Sequence, residues 1–435
     1  MTVALRNLKG TKDYLAQEQV SRQVIIGTLQ TIFEKYGYQS LETPTICYLD
    51  ILESKYAGGS EILKEVYKLD DQGGRELGLR YDLTIPLARF TGMNQDLKRP
   101  FKRYEIGKVF RDGPVKLGRN REFIQCDVDI VGVKSLMADA ELMIMATEVY
   151  RDLGLDIYVS YNNRKLLSGI IEYIGIRPKL ISGTILSIDK IEKIGRIGVK
   201  GELLDLGISM SKIDKLLTFM EMSFNDLLRE FTPSQPNIRI KQGIKELEEL
   251  KAYIDDLENE SIFRFSPGLA RGLEIYTGTV WEVFLCDGSI TSSVGAGGRY
   301  DNIIGEFIGD GIEYPAVGMT FGLDVIYEAL KLKGALEGGT PTDIYIIPLG
   351  TEQESLNLAT RLRKNGIKVD IDMTGRRLKK SLDYANKQCL PYVIILGKDE
   401  LDSGEIKLKE MNTGTEYKVY LDNITDSLKD ILNRE

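Results

Sequence analysis

The sequence predicts an α+β chain: an antiparallel-sheet core carrying a helical insertion, followed by a small α/β domain. Strand-like segments follow one another directly between residues 66 and 131, which suits antiparallel pairing. Residues 164–261 turn rich in Leu, Ile, Lys and Glu at helical spacing. Beyond a Gly- and Pro-containing linker at 333–342, strands and helices alternate.

In order, the spacing of Val20, Val24, Ile25, Leu29, Ile32 and Phe33 predicts a helix over 17–35 with one buried face, ended by Gly37. An extended segment, interrupted by Pro44, follows over 38–48. Strands are expected at 66–69, 76–79, 101–111 and 122–131, then a helix at 138–153 and a strand at 157–161. After the helical insertion a strand returns at 275–284, then a Gly-rich run at 295–298 and a helix at 322–332. The last domain reads strand 343–348, helix 352–364, strand 368–372, helix 378–388 and strand 392–396, giving a mostly parallel sheet. Thr351 with Glu354 fits a capping box, and Asn365-Gly366 fits a helix end.

Composition narrows the chemistry. The 435 residues carry a net charge of −8, which argues against indiscriminate nucleic-acid binding but permits local basic surfaces. Two basic runs stand out, at 98–103 and 376–380. No apolar run approaches a membrane span and residues 1–10 lack a signal-peptide pattern. The cysteines Cys47, Cys126, Cys286 and Cys389 have neither metal-ligand nor redox spacing, so reduced thiols in a cytoplasm are expected. There is no histidine at all. Imidazole bases, His-containing zinc sites and Ser-His triads are excluded. Chemistry here must run on carboxylates, arginines and bound phosphate.

Candidate residues lie on three segments. In Leu79-Arg80-Tyr81-Asp82-Leu83-Thr84 a carboxylate stands near a hydroxyl. The strand pair at 99–132 is joined by a basic loop, with Arg111 closing the first strand and Arg119 and Arg121 at the start of the second. On the second strand Phe123, Gln125, Asp127 and Asp129 share one face, so Gln125 and Asp129 can meet one small ligand. In the third segment Arg271 precedes Tyr276: a guanidinium suited to carboxylate or phosphate beside a phenol suited to a polar ring.

Taken in this order, the segments resemble the class II histidyl-tRNA synthetase family over essentially the whole chain, in wording nearest its eukaryotic and archaeal branch. Leu8-Lys9-Gly10-Thr11-Lys12-Asp13-Tyr14 resembles the family's opening signature, and Pro44 falls where motif 1 places a dimer-interface proline. The segment from Leu79 to Pro86 is similar to a substrate-binding segment, the strand pair to motif 2, and residues 271–282 to the histidine-specific segment. Gly297-Gly298-Arg299-Tyr300-Asp301 is similarly close.

The resemblance implies a class II catalytic domain at 1–334, with the insertion at 164–261, and an anticodon-binding domain at 335–435. It implies a cytoplasmic homodimer without a membrane partner. The implied reaction uses ATP and Mg2+ to convert L-histidine to histidyl-adenylate and passes the histidyl group to tRNA(His). Asp82, Thr84 and Gln125 would hold the α-ammonium, and Asp129 and Tyr276 the imidazole. Arg111 would grip the ATP α-phosphate and the substrate carboxylate, and Arg271 would stabilise charge developing on that phosphate. Arg119 and Arg121 would add ATP contacts, and Arg376 and Arg377 would meet tRNA. No metal-ligating residues are implied.

The chain departs from the family pattern in places. Gly113 stands where motif 2 has a glutamate, and Val325 where motif 3 has its phosphate-gripping arginine. Glu274 and Ile275 replace Asp and Tyr in the histidine segment. These departures leave a second reading, a catalytically impaired paralogue acting as a histidine-binding regulatory protein.

Overall fold

The structure, a computed structural model, describes residues 4–53, 61–115, 119–232, 236–255, 262–271, 275–336 and 340–432. The chain forms two compact units, one comprising Ile25–Ala335 with the residues up to Lys12, the other Asp13–Val24 with Leu336–Glu435.

In the first unit the strands are β1 (Gln39–Ser40), β2 (Ile46–Tyr48), β3 (Lys68–Asp70), β4 (Glu76–Leu79), β5 (Phe101–Phe110), β6 (Glu122–Val131), β7 (Ile157–Asn163), β8 (Phe263–Phe265), β9 (Thr279–Leu285), β10 (Gly295–Arg299) and β11 (Ala316–Gly322). Eight of them form one sheet in the order β1-β5-β6-β11-β10-β9-β7-β8, and β2-β4-β3 form a small second sheet. Pairing is antiparallel except at the edges, where β1 joins β5 and β8 joins β7 in parallel.

Residues 25–35 of the helix Ala16–Lys35, together with the helix Met137–Asp152, cover one face of the large sheet. Phe33 packs on Tyr104 and Phe321 at ring separations of 5.6 and 5.5 Å, and Tyr150 packs on Phe321 at 5.8 Å. Side chains alternate along a strand, so Thr320, next to Phe321, faces the other way. The same alternation puts Cys126 and Val128 on the helix side and Gln125, Asp127 and Asp129 opposite. The open face of the sheet is therefore where polar residues gather.

The insertion is helical as expected, with helices Arg164–Tyr173, Ile181–Ile188, Ile191–Asp205, Met210–Phe219, Phe224–Phe231 and Ile238–Ile254. Phe219 and Phe231 stack at its aromatic centre and Tyr173 meets both edge-on, at ring separations of 5.3 to 6.3 Å. Strands β8, β10 and β11 and the helix Ile303–Ile308 escape the sequence reading. β10 reads as a loop because it is mostly glycine. It is a strand paired with β9 and β11, and glycine is needed at 297 because a β-carbon there would collide with the indole of buried Trp281.

The second unit has β12 (Ile344–Pro348), β13 (Val369–Ile371), β14 (Tyr392–Leu396), β15 (Glu405–Glu410) and β16 (Glu416–Tyr420), in the order β13-β12-β14-β15-β16. The sheet is mixed rather than mostly parallel: β15 and β16 form an antiparallel hairpin on β14. Both strands alternate apolar and charged residues, a strand signal, but the expected elements ended at 396. The capping box at Thr351 is absent: its side chain accepts no capping hydrogen bond, and its hydroxyl donates to the Leu396 carbonyl at 2.5 Å. Asn365 does cap the helix Glu352–Lys364, with Gly366 in the left-handed region. The linker's residues 337–339 lie outside the described residues. Among the described residues no helix is long and apolar enough to cross a membrane.

The first helix corrects one expected core position. Leu29 is fully buried, whereas Val24 is 62% exposed. Leu29→Ala is expected to cost about 2–5 kcal/mol, and Val24→Ala less than about 0.5 kcal/mol, read as shifts of the denaturant midpoint. Equal effects would refute the assigned face.

Candidate active site

Three neighbouring strands set the site by register. Asp129 on β6 stands opposite Arg103 on β5 and Gly318 on β11. Asp127 stands opposite Glu105 and Thr320, and Gln125 opposite Gly107 and Gly322. Glycine at 318 has a physical reason: a β-carbon there would overlap the Asp129 carboxylate, which lies across that position. Above these strands is a cleft of about 290 Å3. Its lining brings together Asp82, Thr84, Arg111, Gln125, Asp129, Arg271 and Tyr276, along with Asp127, Tyr300 and Thr320.

Beneath the cleft runs a buried line of alternating charges. Arg80 donates to Glu105 at 2.8 Å and to the Thr43 carbonyl at 2.7 Å. Glu105 also accepts from the Thr43 backbone at 2.9 Å and from its hydroxyl at 2.8 Å. Arg103 pairs with Glu105 at 3.6 Å and with Asp129 at 2.9 Å. Tyr300 donates its hydroxyl to Asp129. Sequence reading placed Arg103 in an exposed basic run. The structure corrects this: Arg103 has no exposed surface, and Lys102 is committed to Glu141 at 2.7 Å. The signal was available in the alternation of β5, which puts Arg103 and Glu105 on one face.

The carboxylates facing the cleft are held against their preference for charge. Burial pushes Asp82 up to about 6, while the Ile85 backbone N–H, Arg111 and Arg103 pull it down. Burial pushes Asp127 up to about 8, opposed by Arg103 and reinforced by Asp129. Asp129 is raised by burial against the pull of Arg103 and the Tyr300 hydrogen bond. Such a wall favours an incoming cation.

Opposite it stand two cations. Arg111 lies over the Phe123 ring at 4.9 Å and donates to the Tyr81 carbonyl at 3.4 Å. Burial lowers its pKa, with the Asp82 charge opposing. Arg271 pairs with Glu282, which Ser293 also reaches at 3.3 Å, and sits 5.9 Å from the centre of the Tyr276 ring. Burial works against its charge, but Tyr276 and Glu282 outweigh burial and raise its pKa. Buried Nε atoms of Arg111 and Arg271 and Oε1 of Gln125 have no partner among the described residues. The cleft thus joins a cation-seeking wall to an anion-seeking one, as a zwitterion meeting a phosphate requires. Residues 272–274, including Glu274, lie outside the described residues.

Arg119 and Arg121 are not among the lining residues. Arg119 holds Glu65 with both carboxylate oxygens at 2.7 Å, and Arg121 pairs with Asp112 at 3.3 Å. The Glu65 carboxylate sits 2.6 Å from where a β-carbon of Gly113 would be. A carboxylate therefore occupies the neighbourhood that Gly113 leaves empty. Val325 lines the cleft. Arg299 does not stand in for the motif 3 arginine, since it is buried and bound to Asp139, Asp301 and the Val133 carbonyl. In the second unit Arg376 lies over the Tyr384 ring at 4.4 Å, and Arg377 is exposed at the start of the helix Leu378–Lys387.

A pH prediction follows from Asp127. Its folded pKa of about 8 exceeds the unfolded value of about 3.9, so its contribution to stability is present at low pH and lost as pH rises through about 8. Asp127→Asn is expected to raise the melting temperature at pH 8.5 more than at pH 5.5. An equal shift at both would refute the raised pKa.

The chain is similar to known proteins over nearly its whole length. Residues 10–326 match the histidyl-tRNA synthetase family and residues 343–431 the anticodon binding domain. The chain is 52% identical to Histidine–tRNA ligase 1 of Bacillus cereus over 97% of its length and 99% of that protein. It is 48% identical to Histidine–tRNA ligase 2 of Shouchella clausii, covering 95% of this chain and 98% of that one. The crystal structure of histidyl-tRNA synthetase from Nostoc sp. superposes with a TM-score of 0.85 at 28% identity, covering 99% of this chain and 100% of that one. These relatives are bacterial, whereas the motif wording points to the eukaryotic and archaeal branch. Alike to such relatives over nearly its full length, and matching in both of its parts, the chain belongs to the class II histidyl-tRNA synthetase family.

Proposed function

We infer that the chain is a histidine–tRNA ligase, activating L-histidine with ATP and transferring it to tRNA(His). The observation that carries this is the gathering of Asp82, Thr84, Gln125, Asp129, Tyr276, Arg111 and Arg271 around one cleft in a member of that family. Catalysis is assigned to residues 1–334 with the insertion at 164–261, and anticodon reading to 335–435. A cytoplasmic homodimer is the proposed working form.

In this reading the α-ammonium lies among Asp82, Thr84 and Gln125, and the ring against Asp129 and Tyr276. A site that hydrogen-bonds a polar ring rejects apolar analogues, because its buried groups would be left unpaired. The substrate carboxylate, already ionised, needs no general base. Guided by Arg111, one of its oxygens bonds to the α-phosphorus of ATP while the bond to pyrophosphate breaks. Negative charge grows on the α-phosphate oxygens and meets Arg271, which Glu282 holds in place. A ribose hydroxyl of the tRNA then attacks the acyl carbon, the acyl–phosphate bond breaks, and AMP leaves with the hydroxyl proton on a phosphate oxygen. Arg119 and Arg121 would exchange Glu65 and Asp112 for ATP oxygens. Among the described residues no three His, Cys, Asp or Glu side chains group to hold a metal. Mg2+ would be carried by the ATP phosphates, and there it would supply neutralisation of their negative charge.

Histidine-dependent exchange of pyrophosphate into ATP tests the reading. Exchange is expected in the wild type and a drop of about 100-fold or more in kcat for Arg271→Ala. No exchange in a protein that still binds histidine would favour the regulatory reading, which rests on Gly113 and Val325.

For tRNA, neutralising Arg376 and Arg377 together is expected to weaken binding by about tenfold at low salt and to flatten its salt dependence. Histidine binding should not change. Unaltered tRNA affinity would remove this cluster from the interface.

A further inference from the structure

We propose that Thr320 and Asp127 are positioning residues that fix which end of the Gln125 side-chain amide faces the substrate. The inference rests on reading the cleft as the histidine site and adds to it a device that sets recognition of the α-ammonium.

The device begins with register. Thr320 stands directly opposite Asp127, and the position opposite Gln125 is Gly322, which has no side chain. Thr320 therefore reaches both neighbours on β6, one across and one diagonally. Its hydroxyl donates to Asp127 Oδ1. A hydroxyl has one proton, so once that proton is committed the oxygen can only accept. It accepts from Gln125 Nε2 at 3.3 Å. The amide nitrogen is thereby turned into the sheet, and Oε1 is left buried with no partner among the described residues, on a residue that lines the cleft.

The polarity is what an ammonium needs. An ammonium offers three donors and no acceptor, so a carbonyl oxygen welcomes it and an NH2 group repels it. Without the Thr320 hydroxyl the amide gains nothing from one orientation over the other and loses its bias. Burial raises the pKa of Asp127 to about 8, and Arg103 and the Thr320 hydrogen bond oppose it by favouring the ionised form. An arriving ammonium acts in the same direction.

Calorimetric titration separates this from plain packing. The ligands are L-histidine and 3-(imidazol-4-yl)propionate, which lacks only the amino group. Thr320→Val removes the hydroxyl at nearly constant volume and alters no charge. It is expected to weaken histidine by about tenfold while changing the des-amino analogue by less than about twofold. Thr320→Ser keeps the hydroxyl and should restore the wild-type preference. Equal weakening of both ligands by Thr320→Val, or none for histidine, would overturn the relay. A wild type that binds no histidine would instead sink the underlying reading of the cleft, and the relay with it.

Discussion

Arg103 lies at the centre of the first unit with no surface exposed, between Glu105 and Asp129. A guanidinium taken wholly out of water must be paired, and removing one member of such a pair costs about 3–5 kcal/mol. Its partners reach back to distant parts of the chain. Glu105 ties in Thr43 from the loop before β2 and Arg80 from the end of β4, and Asp129 ties in Tyr300 from the end of β10. Segments far apart in sequence are thus fixed to one another by charge as well as by the apolar core. The floor of the cleft is rigid for that reason, and the groups above it inherit their positions.

The same array explains the tension among the carboxylates of the cleft. Arg103 satisfies Asp129 and part of Asp127, and Asp82 is left to Arg111 and a backbone N–H. Three buried carboxylates share too little positive charge, and burial raises each of them. A bound ammonium relieves this. The fold carries an unfavourable local charge distribution that its ligand completes, a pattern common at binding sites and adverse to stability.

Much of this was legible in sequence, for identifiable reasons. The alternation of β6 put Gln125, Asp127 and Asp129 on one face, and order along the chain joined them to Asp82, Arg111, Arg271 and Tyr276. The helices of the insertion announced themselves by periodicity. What escaped has physical causes. β10 looks like a loop because close packing against Trp281 demands glycine, the residue that most resembles a loop. Arg103 looked exposed because its neighbours Lys98 and Arg99 are exposed, and a run of like charges hides the one member that turns inward. The β15–β16 hairpin was missed although its alternation of apolar and charged residues is a strand signal, because the expected elements ended at 396. Thr320 carried no signal, since its role exists only through register with β6.

Gly113 and Glu65 contend for one volume. The Glu65 carboxylate lies 2.6 Å from where any side chain at 113 would begin, and both of its oxygens are engaged by Arg119. A larger residue at 113 would have to evict Glu65 and release Arg119. The two positions are coupled through that carboxylate, which is the far end of a flexible side chain and can swing aside at the cost of its hold on Arg119. Read column by column, the glycine is a loss; read as occupied space, it is one half of an exchange between two distant parts of the chain.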